Sequence, residues 1–435
     1  MKNDGYKKIA YYTVGCRLNQ YETERMVAAL CPLGFRRAAK GEPADLFLIN
    51  TCTVTHRADQ SSRSVISRVA RENPGCKIVV AGCYVDSNPD KTASLEGVDA
   101  ILCNKEKEFI AEILPERLPE LFENLPPENT CAHNTNMFCG HNRAWLKISD
   151  GCNQKCAYCI LPLVRGRLVN RPVDEIIAEC NELVGMGFHE IVITGLNMGM
   201  YNDTIADPPV KNLAALCRLI LTETAIDRIR LSSIEPQTVN DDLIRTFADF
   251  GNRICRHWHF SLQSGSPRVL KLMKRPYTRE KFIELARALK NALPNTVIGA
   301  DIIVGFPGET DEDFEDSKSI AEMDLLDYLH VFSYSDRPGT LASEMPDKIN
   351  SKIIKKRNTV LSAISTVNRR RAFARQMGQT LGVIAENKIR NGSYYMAVAD
   401  NYMRVKMPAS FKGGRQIVPV KITAARDNYL EGELI

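Results

Sequence analysis

The first hundred residues contain three short apolar segments, and each of them runs into a cysteine. The segments are Lys8–Val14, Asp45–Asn50 and Lys77–Ala81, and the cysteines that follow them are Cys16, Cys52 and Cys83. Continuous apolar segments that alternate with helices predict a parallel sheet covered on both faces. Because loops at the carboxyl ends of parallel strands meet at one edge of a sheet, we expect the three thiols to lie together there. The alternative is three small buried residues, since free cysteine is often buried.

A second and tighter group of cysteines lies in the segment Asp150–Cys159, with the spacing C-x3-C-x2-C. Cys152, Cys156 and Cys159 have no fourth cysteine nearby, whereas a structural zinc site normally has four Cys or His ligands. Three thiolates on a four-iron cluster leave one iron free for an exchangeable ligand. The spacing therefore favours a reactive iron–sulfur site, with three buried structural thiols as the alternative.

Strands and helices alternate from Arg143 onward, with helical stretches such as Val173–Met186 and Arg279–Ala292 between the strands. The predicted strands are Ala144–Ser149, Glu190–Thr194, Arg228–Ser233, His257–Leu262, Val297–Val304 and Tyr328–Tyr334. Six such repeats predict a barrel or partial barrel of parallel strands, with functional residues on the loops after the strands. The cysteine triplet follows the first of these strands, as that arrangement requires.

A Pro- and Asn-rich segment between about Pro115 and Asn142 is interpreted as a linker. It contains two C-x-H pairs, which are Cys131 with His133 and Cys139 with His141. Such pairs can indicate zinc, but this spacing matches no usual zinc pattern. We assign these four residues no role.

The chain from Lys348 to Gln376 is rich in Lys and Arg and contains no Asp or Glu. After Gly378 come short strand-like segments, which are Thr380–Glu386, Tyr394–Val398, Tyr402–Met407, Ile417–Ala424 and Leu430–Leu434. Short strands separated by turns predict a small antiparallel barrel. The basic stretch is either a solvated helix face or a surface for an RNA backbone.

Composition sets the broad class. A chain of 435 residues can hold two or three domains, and its net charge of +5 does not by itself indicate a nucleic-acid partner. The start of the sequence has no signal-peptide core, and no apolar run approaches the length needed to span a membrane. The chain has 14 cysteines. We expect a cytoplasmic protein in which the clustered cysteines act as metal ligands rather than as disulfides.

The order of these parts resembles the radical S-adenosylmethionine (SAM) methylthiotransferases, which have an N-terminal three-Cys domain, a radical SAM barrel and a C-terminal TRAM domain. The resemblance covers nearly the whole chain and rests on the segments Thr13–Glu24, Asn50–Thr55, Ala81–Cys83, Asp150–Cys159, Pro162, Arg165–Arg167, His257–Ser266 and Gly305–Thr310. The expected fold class is α/β, with a parallel α/β sheet domain (1–114), a linker (115–142), a partial (βα)6 radical SAM core (143–371) and an RNA-binding TRAM barrel (372–435).

Within this family, Asn19-Gln20-Tyr21-Glu22 and Thr53-Val54-Thr55 resemble the branch that acts on N6-threonylcarbamoyladenosine at position 37 of tRNA. The alternatives are isopentenyladenosine in tRNA, an Asp of a ribosomal protein, or a non-catalytic iron–sulfur RNA-binding protein. Two features depart from the family pattern: Asn170-Arg171-Pro172 stands where Ser-Arg-Pro is usual, and the linker has no counterpart.

The resemblance implies two 4Fe–4S clusters, one on each cysteine triplet, and two SAM molecules per turnover. One cluster would cleave SAM to a radical that attacks the non-acidic C–H bond at carbon 2 of adenine, and the other would carry the sulfur. The implied SAM contacts are Tyr158, Thr194, Gly195, Ser233, Glu235, Gln263 and Asp301. The implied partners are the tRNA anticodon stem-loop and an electron donor of the flavodoxin or ferredoxin type, without a membrane. His257 and His259 alternate on one strand and should face the same side, and we assign them no chemistry.

Overall fold

The computed structural model describes residues 6–123, 125, 137–388, 394–408, 411 and 413–435. Cys131 and His133, for which the sequence suggested no role, lie outside the described residues.

The N-terminal domain is a five-stranded parallel sheet with strand order β2-β1-β3-β4-β5. Its strands are β1 (Lys7–Thr13), β2 (Phe35–Arg37), β3 (Leu46–Thr51), β4 (Lys77–Gly82) and β5 (Ala100–Leu102). Its helices are α1 (Arg17–Leu30), α2 (His56–Glu72), α3 (Cys83–Ser87), α4 (Pro89–Ala93) and α5 (Ile110–Arg117). One apolar core lies under α1 and α5, and another lies under α2 on the opposite face. The predicted parallel sheet covered on both faces is confirmed, with two additional edge strands of three residues each.

The central domain contains six parallel strand positions that follow one another in chain order. Its strands are β6 (Ala144–Lys147), β7 (Ser149–Asp150), β8 (Val169–Asn170), β9 (Glu190–Thr194), β10 (Arg228–Leu231), β11 (Ser233–Ile234), β12 (His257–Gln263), β13 (Val297–Val304) and β14 (Tyr328–Ser333). A break at Ser232 separates the sheet β10-β9-β6 from the sheet β11-β12-β13-β14. Since β6 and β14 do not pair with each other among the described strands, the barrel is partial, as predicted.

Helices of the central domain cover the outside of this partial barrel. They are α6 (Leu161–Arg165), α7 (Val173–Gly185), α8 (Leu213–Glu223), α9 (Asp241–Phe250), α10 (Pro267–Leu272), α11 (Arg279–Ala292), α12 (Asp311–Glu322), α13 (Leu341–Glu344) and α14 (Ser351–Ala374). Side chains of α7, α8, α9, α11 and α12 share one large core with the strands. The antiparallel pair β7–β8 encloses the loop that carries the cysteine triplet, so the barrel's functional edge begins there.

Both described ends of the segment that we interpreted as a linker are packed. Leu118 and Leu121 join the N-terminal core, and Phe138 is fully buried in the core of the central domain, with its ring centroid 5.1 Å from that of Trp145. These ends tie the N-terminal sheet to the barrel through apolar contacts.

The C-terminal strands form a closed barrel with the order β15-β16-β17-β19-β18. They are β15 (Thr380–Lys388), β16 (Tyr394–Ala399), β17 (Arg404–Pro408), β18 (Val418–Ala425) and β19 (Leu430–Leu434). The neighbours are antiparallel except β17 and β19, which run parallel, so the small barrel is not purely antiparallel. No described helix of the chain is both long enough and apolar enough to cross a bilayer.

Candidate iron–sulfur and substrate site

The three N-terminal cysteines lie where their strands end. Cys16 is the N-cap of α1, Cys52 follows β3 directly, and Cys83 is the first residue of α3. Gly15 precedes the first of them with φ of +109°, and a Cβ there would come within 2.7 Å of the Cys52 Cβ. A residue without a side chain is therefore needed for these two loops to approach each other. Burial, with smaller contributions from the neighbouring Cys16 and Cys83, raises the pKa of Cys52 to about 12.

Arg165 joins this group to the barrel. Its Nε donates to the Cys83 Sγ at 3.1 Å, and its Nη2 donates to the Asn19 Oδ1 at 2.8 Å. The same guanidinium forms an ion pair with Glu22 and lies 3.2 Å from the Asp150 carboxylate. Although burial opposes it, the cations Arg165 and Lys107 hold the pKa of Glu22 well below its usual range. One buried arginine thus contacts the N-terminal cysteine group and the strand that leads into the second triplet.

The second triplet lies on the loop after β7, and that loop is held from two sides. The backbone N–H of Ala157 donates to the Met273 carbonyl at 3.0 Å, and its carbonyl accepts from the Ala342 N–H at 2.7 Å. Burial first, and then the nearby Cys156 and Cys152, raise the pKa of Cys159 to about 12. Without a metal this thiol is therefore protonated at neutral pH, and metal binding must displace its proton.

Nitrogen donors point at the sulfur atoms of both groups. The backbone N–H of Gln154 and the Asn197 amide donate to the Cys152 Sγ at 3.4 and 3.5 Å. Arg275 donates to the Cys156 Sγ at 3.0 Å, and Asn104 donates to the Cys83 Sγ at 3.6 Å. Such donors stabilise thiolate sulfur and tune the metal that it binds. Two three-thiol groups with N–H donors directed at their sulfurs fit 4Fe–4S clusters that each keep one iron without a protein ligand.

Four of the implied SAM contacts, Thr194, Gly195, Gln263 and Glu235, lie at or just after the carboxyl ends of strands. Thr194 ends β9, and a Cβ on the next residue, Gly195, would come within 2.5 Å of the Ser149 Oγ. Gln263 ends β12 and has φ of +67°, in the left-handed region. Ser233 starts β11 with its side chain exposed, and Glu235 follows that strand and pairs with Arg275.

The other two implied SAM contacts are placed differently. Tyr158 lies between two cysteines of the triplet, and burial raises its pKa well above the ordinary value. Asp301 lies within β13 rather than at its end. Although burial acts in the opposite direction, hydrogen bonds from His259 and His330 lower the pKa of Asp301 to about 2. Asp301 was expected as a SAM contact, and in the structure its carboxylate is bonded to His259 and lies 3.5 Å from His330.

Histidines of β12 and β14 form a hydrogen-bonded network with Tyr328 and Asp301. His257 and His259 face the same side of β12, as predicted, and both bond to the Tyr328 hydroxyl, at 2.8 and 2.9 Å. The His259 Nε2 lies 2.8 Å from the Asp301 Oδ1, and the His330 Nδ1 lies 3.5 Å from the same oxygen. His259, Asp301 and His330 place three potential ligand atoms within 4.8 Å of one another, a set that a divalent metal could use. In this structure their hydrogen bonds to one another satisfy most of these groups.

Comparison with known proteins identifies two segments of the chain. Residues 146–319 match the Radical SAM superfamily, and residues 8–103 match the Uncharacterized protein family UPF0004. The threonylcarbamoyladenosine tRNA methylthiotransferase MtaB of Bacillus subtilis strain 168 is 35% identical over 445 residues, which cover 98% of this chain and 96% of that protein. This chain belongs to the radical SAM methylthiotransferase family. Its cofactors are accordingly SAM and 4Fe–4S clusters, as the resemblance implied.

Other methylthiotransferases are almost equally similar. The tRNA-2-methylthio-N(6)-dimethylallyladenosine synthase of Syntrophobacter fumaroxidans is 34% identical over 436 residues, covering 97% of this chain and 94% of that protein. The radical SAM methyltransferase TsrM of Kitasatospora setae has a similar fold, with a TM-score of 0.55 at 13% identity over 78% of this chain and 74% of that chain. The relatives of this chain therefore include enzymes of both tRNA branches, and the MtaB proteins of Bacillus subtilis and Aquifex aeolicus belong to the threonylcarbamoyladenosine branch.

Sequence reasoning did not assign roles to several polar residues around the thiols. Arg165 was noticed only as part of a family motif, and Arg275, Asn104 and Asn197 were not singled out. Arg275 and Arg165 each lie more than eighty residues from the cysteine that they contact. The available signal was the Arg165-Gly166-Arg167 motif directly after the cysteine triplet.

Proposed function

We propose that this methylthiotransferase transfers a methylthio group to carbon 2 of N6-threonylcarbamoyladenosine at position 37 of tRNA. The observation that carries the proposal is the meeting of two three-cysteine groups through Arg165, which contacts Cys83 of one group and Asp150 beside the other. A reaction that needs both hydrogen removal and sulfur delivery at one carbon requires two such centres side by side. The relative from Bacillus subtilis, which is 35% identical over 98% of this chain, is named a threonylcarbamoyladenosine tRNA methylthiotransferase.

Cys152, Cys156 and Cys159 would hold the cluster that binds and cleaves SAM. Cys16, Cys52 and Cys83 would hold the cluster that delivers sulfur. When bound, these groups and SAM supply homolytic removal of the carbon-2 hydrogen, which acid–base chemistry alone cannot achieve, together with the methylthio group. The residues of the chain supply charge balance around the thiolates. Arg275 links the Cys156 sulfur to Glu235, and Arg165 links the Cys83 sulfur to Glu22. Each triplet therefore has a cation with its own carboxylate counter-ion.

Four of the residues that we propose as SAM contacts, Thr194, Gly195, Glu235 and Gln263, lie at or just after the carboxyl ends of strands. Thr194 and Gly195 present backbone and a small surface beside Ser149, and Gln263 presents its amide from the end of β12. These positions can hold the polar groups of SAM while the apolar barrel core behind them excludes water.

The C-terminal barrel and α14 form the proposed contact with the tRNA anticodon stem-loop. A groove of about 500 Å³ runs between them, and its lining includes Tyr328, Arg369, Tyr402 and Arg404. Within the basic stretch of α14, Arg357 forms an ion pair with Glu309. Arg369 has no carboxylate partner among the described residues and lies over the Tyr328 ring. Free guanidinium groups beside aromatic rings suit an RNA backbone and its bases. The electron donor would be a flavodoxin or ferredoxin.

The experiment is replacement of Cys16 by alanine in anaerobically reconstituted protein, with an anticodon stem-loop carrying N6-threonylcarbamoyladenosine. We expect 5′-deoxyadenosine to form while the methylthio nucleoside is abolished, because only the cluster on the N-terminal cysteines loses a ligand. Cys76→Ala is the matched control, since this thiol lies in the same domain on the loop before β4 and should leave both products unchanged.

Two results would count against the proposal. Full methylthio product from Cys16→Ala would remove the sulfur-delivery role from the N-terminal triplet. In a deletion strain, mass spectrometry should show that the tRNA lacks only the methylthio-threonylcarbamoyl nucleoside. If the methylthio-isopentenyl nucleoside is lost instead, the protein belongs to the other branch.

A further inference from the structure

Arg17 differs from the buried arginines of the site because it has no carboxylate partner among the described residues. It follows Cys16 directly and is half-buried. The arginines around it are neutralised internally: Arg165 by Glu22, Arg230 by Glu190, Arg275 by Glu235 and Arg337 by Asp59. A half-buried cation that is bonded to a tyrosine hydroxyl rather than to a carboxylate is suited to pair with an anionic ligand.

The surroundings of Arg17 are aromatic, and no unpaired carboxylate contacts it among the described residues. Its guanidinium donates to the Tyr402 hydroxyl and lies 5.1 Å from the centroid of that ring. The centroid of the Tyr402 ring is 4.7 Å from that of the His257 ring, and His257 is the first residue of β12. Although burial opposes it, Arg17, Arg143 and Arg230 together lower the pKa of the Tyr402 hydroxyl, which shows a net positive field at this point.

The other ionisable groups nearby do not offset this charge. Asp301 is the nearby acid of the network, and it is already bonded to His259 and His330. His257 is neutral, because burial first and then Arg230 lower its pKa well below the ordinary value. The local charge is therefore carried by arginine, at every pH where the protein is folded.

The two tRNA nucleosides modified by this family differ in charge at one place. The threonylcarbamoyl group ends in a free α-carboxyl, whose ordinary pKa is about 3.5, so it is an anion at neutral pH. The dimethylallyl group is a branched hydrocarbon with no polar atom. A wall that presents one unpaired guanidinium suits the first group and penalises the second.

We propose that Arg17 binds the carboxylate of the threonylcarbamoyl group and so selects this nucleoside over dimethylallyladenosine. The inference rests on the proposed function and assigns the specificity of the same site. Because Arg17 and Cys16 are consecutive, a carboxylate bound here brings the modified base next to the N-terminal cysteine group. An apolar substituent in the same place would leave the guanidinium desolvated and unpaired, which is costly.

The test measures equilibrium binding rather than turnover. Anaerobically reconstituted protein is titrated with fluorescent anticodon stem-loops that carry either N6-threonylcarbamoyladenosine, its methyl ester, or unmodified adenosine. For wild type we expect the carboxylate form to bind more tightly than the other two. Arg17→Met should weaken binding of the carboxylate form by about tenfold to a hundredfold, the usual range for a hydrogen bond to a charged group, and leave the other two nearly unchanged. Arg17→Lys should retain part of the preference.

Two control variants separate charge recognition from general RNA binding and from folding. Arg369→Met removes the unpaired cation in the groove and should weaken all three stem-loops by a similar factor, with a reduced salt dependence. Arg68→Met removes another arginine that lies over a tyrosine, 5.3 Å from the Tyr12 ring on the outer helix α2, and should change nothing. Iron content and thermal midpoint of each variant confirm that the fold and the cluster are intact.

The outcomes distinguish this inference from the proposed function. If wild type prefers the carboxylate form and Arg17→Met keeps that preference, the assignment of Arg17 is wrong while the proposed substrate stands. An equal loss on all three stem-loops in Arg17→Met would make this residue a backbone contact and also overturn the assignment. If wild type shows no preference for threonylcarbamoyladenosine and forms no methylthio product from it, the proposed substrate itself is wrong.

Discussion

Replacing Arg165 by methionine should destabilise the protein, because it removes the cation that several buried groups share. The Arg165 side chain is 2% exposed and its partner Glu22 is 7% exposed. It also hydrogen-bonds to the Asn19 Oδ1 at 2.8 Å and to the Cys83 Sγ at 3.1 Å. Methionine has similar length without charge, so the change tests the interaction rather than the packed volume.

The size of the effect follows from what remains beside Glu22. Removing one partner of a buried ion pair usually costs about 3–5 kcal/mol. Here the Lys107 Nζ still lies 2.6 Å from the Glu22 carboxylate, so the charge is not left alone. We therefore expect a loss at the lower end of that range, about 3 kcal/mol at pH 7.

The pH dependence gives the sign of the same interaction. The folded pKa of Glu22 is depressed, so its contribution to the free energy of unfolding is fully present above the unfolded pKa of about 4.3 and is lost as the pH falls through the folded pKa. Arg165→Met weakens this depression. The difference between wild type and variant should be constant at neutral pH and should shrink below about pH 4.

The assay is urea unfolding of the cluster-free protein, followed by circular dichroism and compared at one common urea concentration. Arg68→Met on the outer face of α2 serves as the control and should stay within about 0.5 kcal/mol of wild type. A loss below about 1 kcal/mol for Arg165→Met, or a difference that does not shrink in acid, would refute the reasoning. Iron analysis of the reconstituted variant adds a second measurement, since its N-terminal cluster should be retained less well.

Two further substitutions test other parts of the structure. Glu190→Gln leaves the fully buried Arg230 without its carboxylate partner, so urea unfolding should show a loss of about 3–5 kcal/mol, and an unchanged midpoint would contradict the importance of this pair. Gly299→Ala would place a Cβ 2.1 Å from the Tyr328 ring and should cost about 1–3 kcal/mol by overpacking in a thermal melt. Gly185→Ala is its control, because no atom lies within 4 Å of the added Cβ in that helix, and equal losses in both variants would rule out the steric explanation.

Local sequence pattern was sufficient for most of the fold. The strands at Glu190–Thr194 and Val297–Val304 and the helix at Arg279–Ala292 have the predicted bounds. These elements have clear periodicity and are long enough for the pattern to appear. The edge strands Phe35–Arg37 and Ala100–Leu102 were missed because three residues are too few to establish an alternation.

Part of the site could also be anticipated from topology. Parallel strands deliver their carboxyl ends to one edge, and this rule was enough to expect Cys16, Cys52 and Cys83 together. The rule says nothing about which distant side chains complete the site. Arg337 reaches Asp59 across 278 residues, and no periodicity within either segment indicates that pairing.

The order of residues along the chain thus specified the alternation of strands and helices, the two cysteine groups and the family, because each depends on near neighbours or on a general rule of sheet connection. Only the tertiary structure determined which basic side chains form ion pairs with which carboxylates. Among the described residues Arg165 has a carboxylate partner and Arg17 has none, although both arginines are close to a cysteine in sequence. That difference arises from tertiary packing, which brings Glu22 to Arg165 and the Tyr402 hydroxyl to Arg17. Burial makes an unpaired charge costly, so each pairing has an energetic consequence.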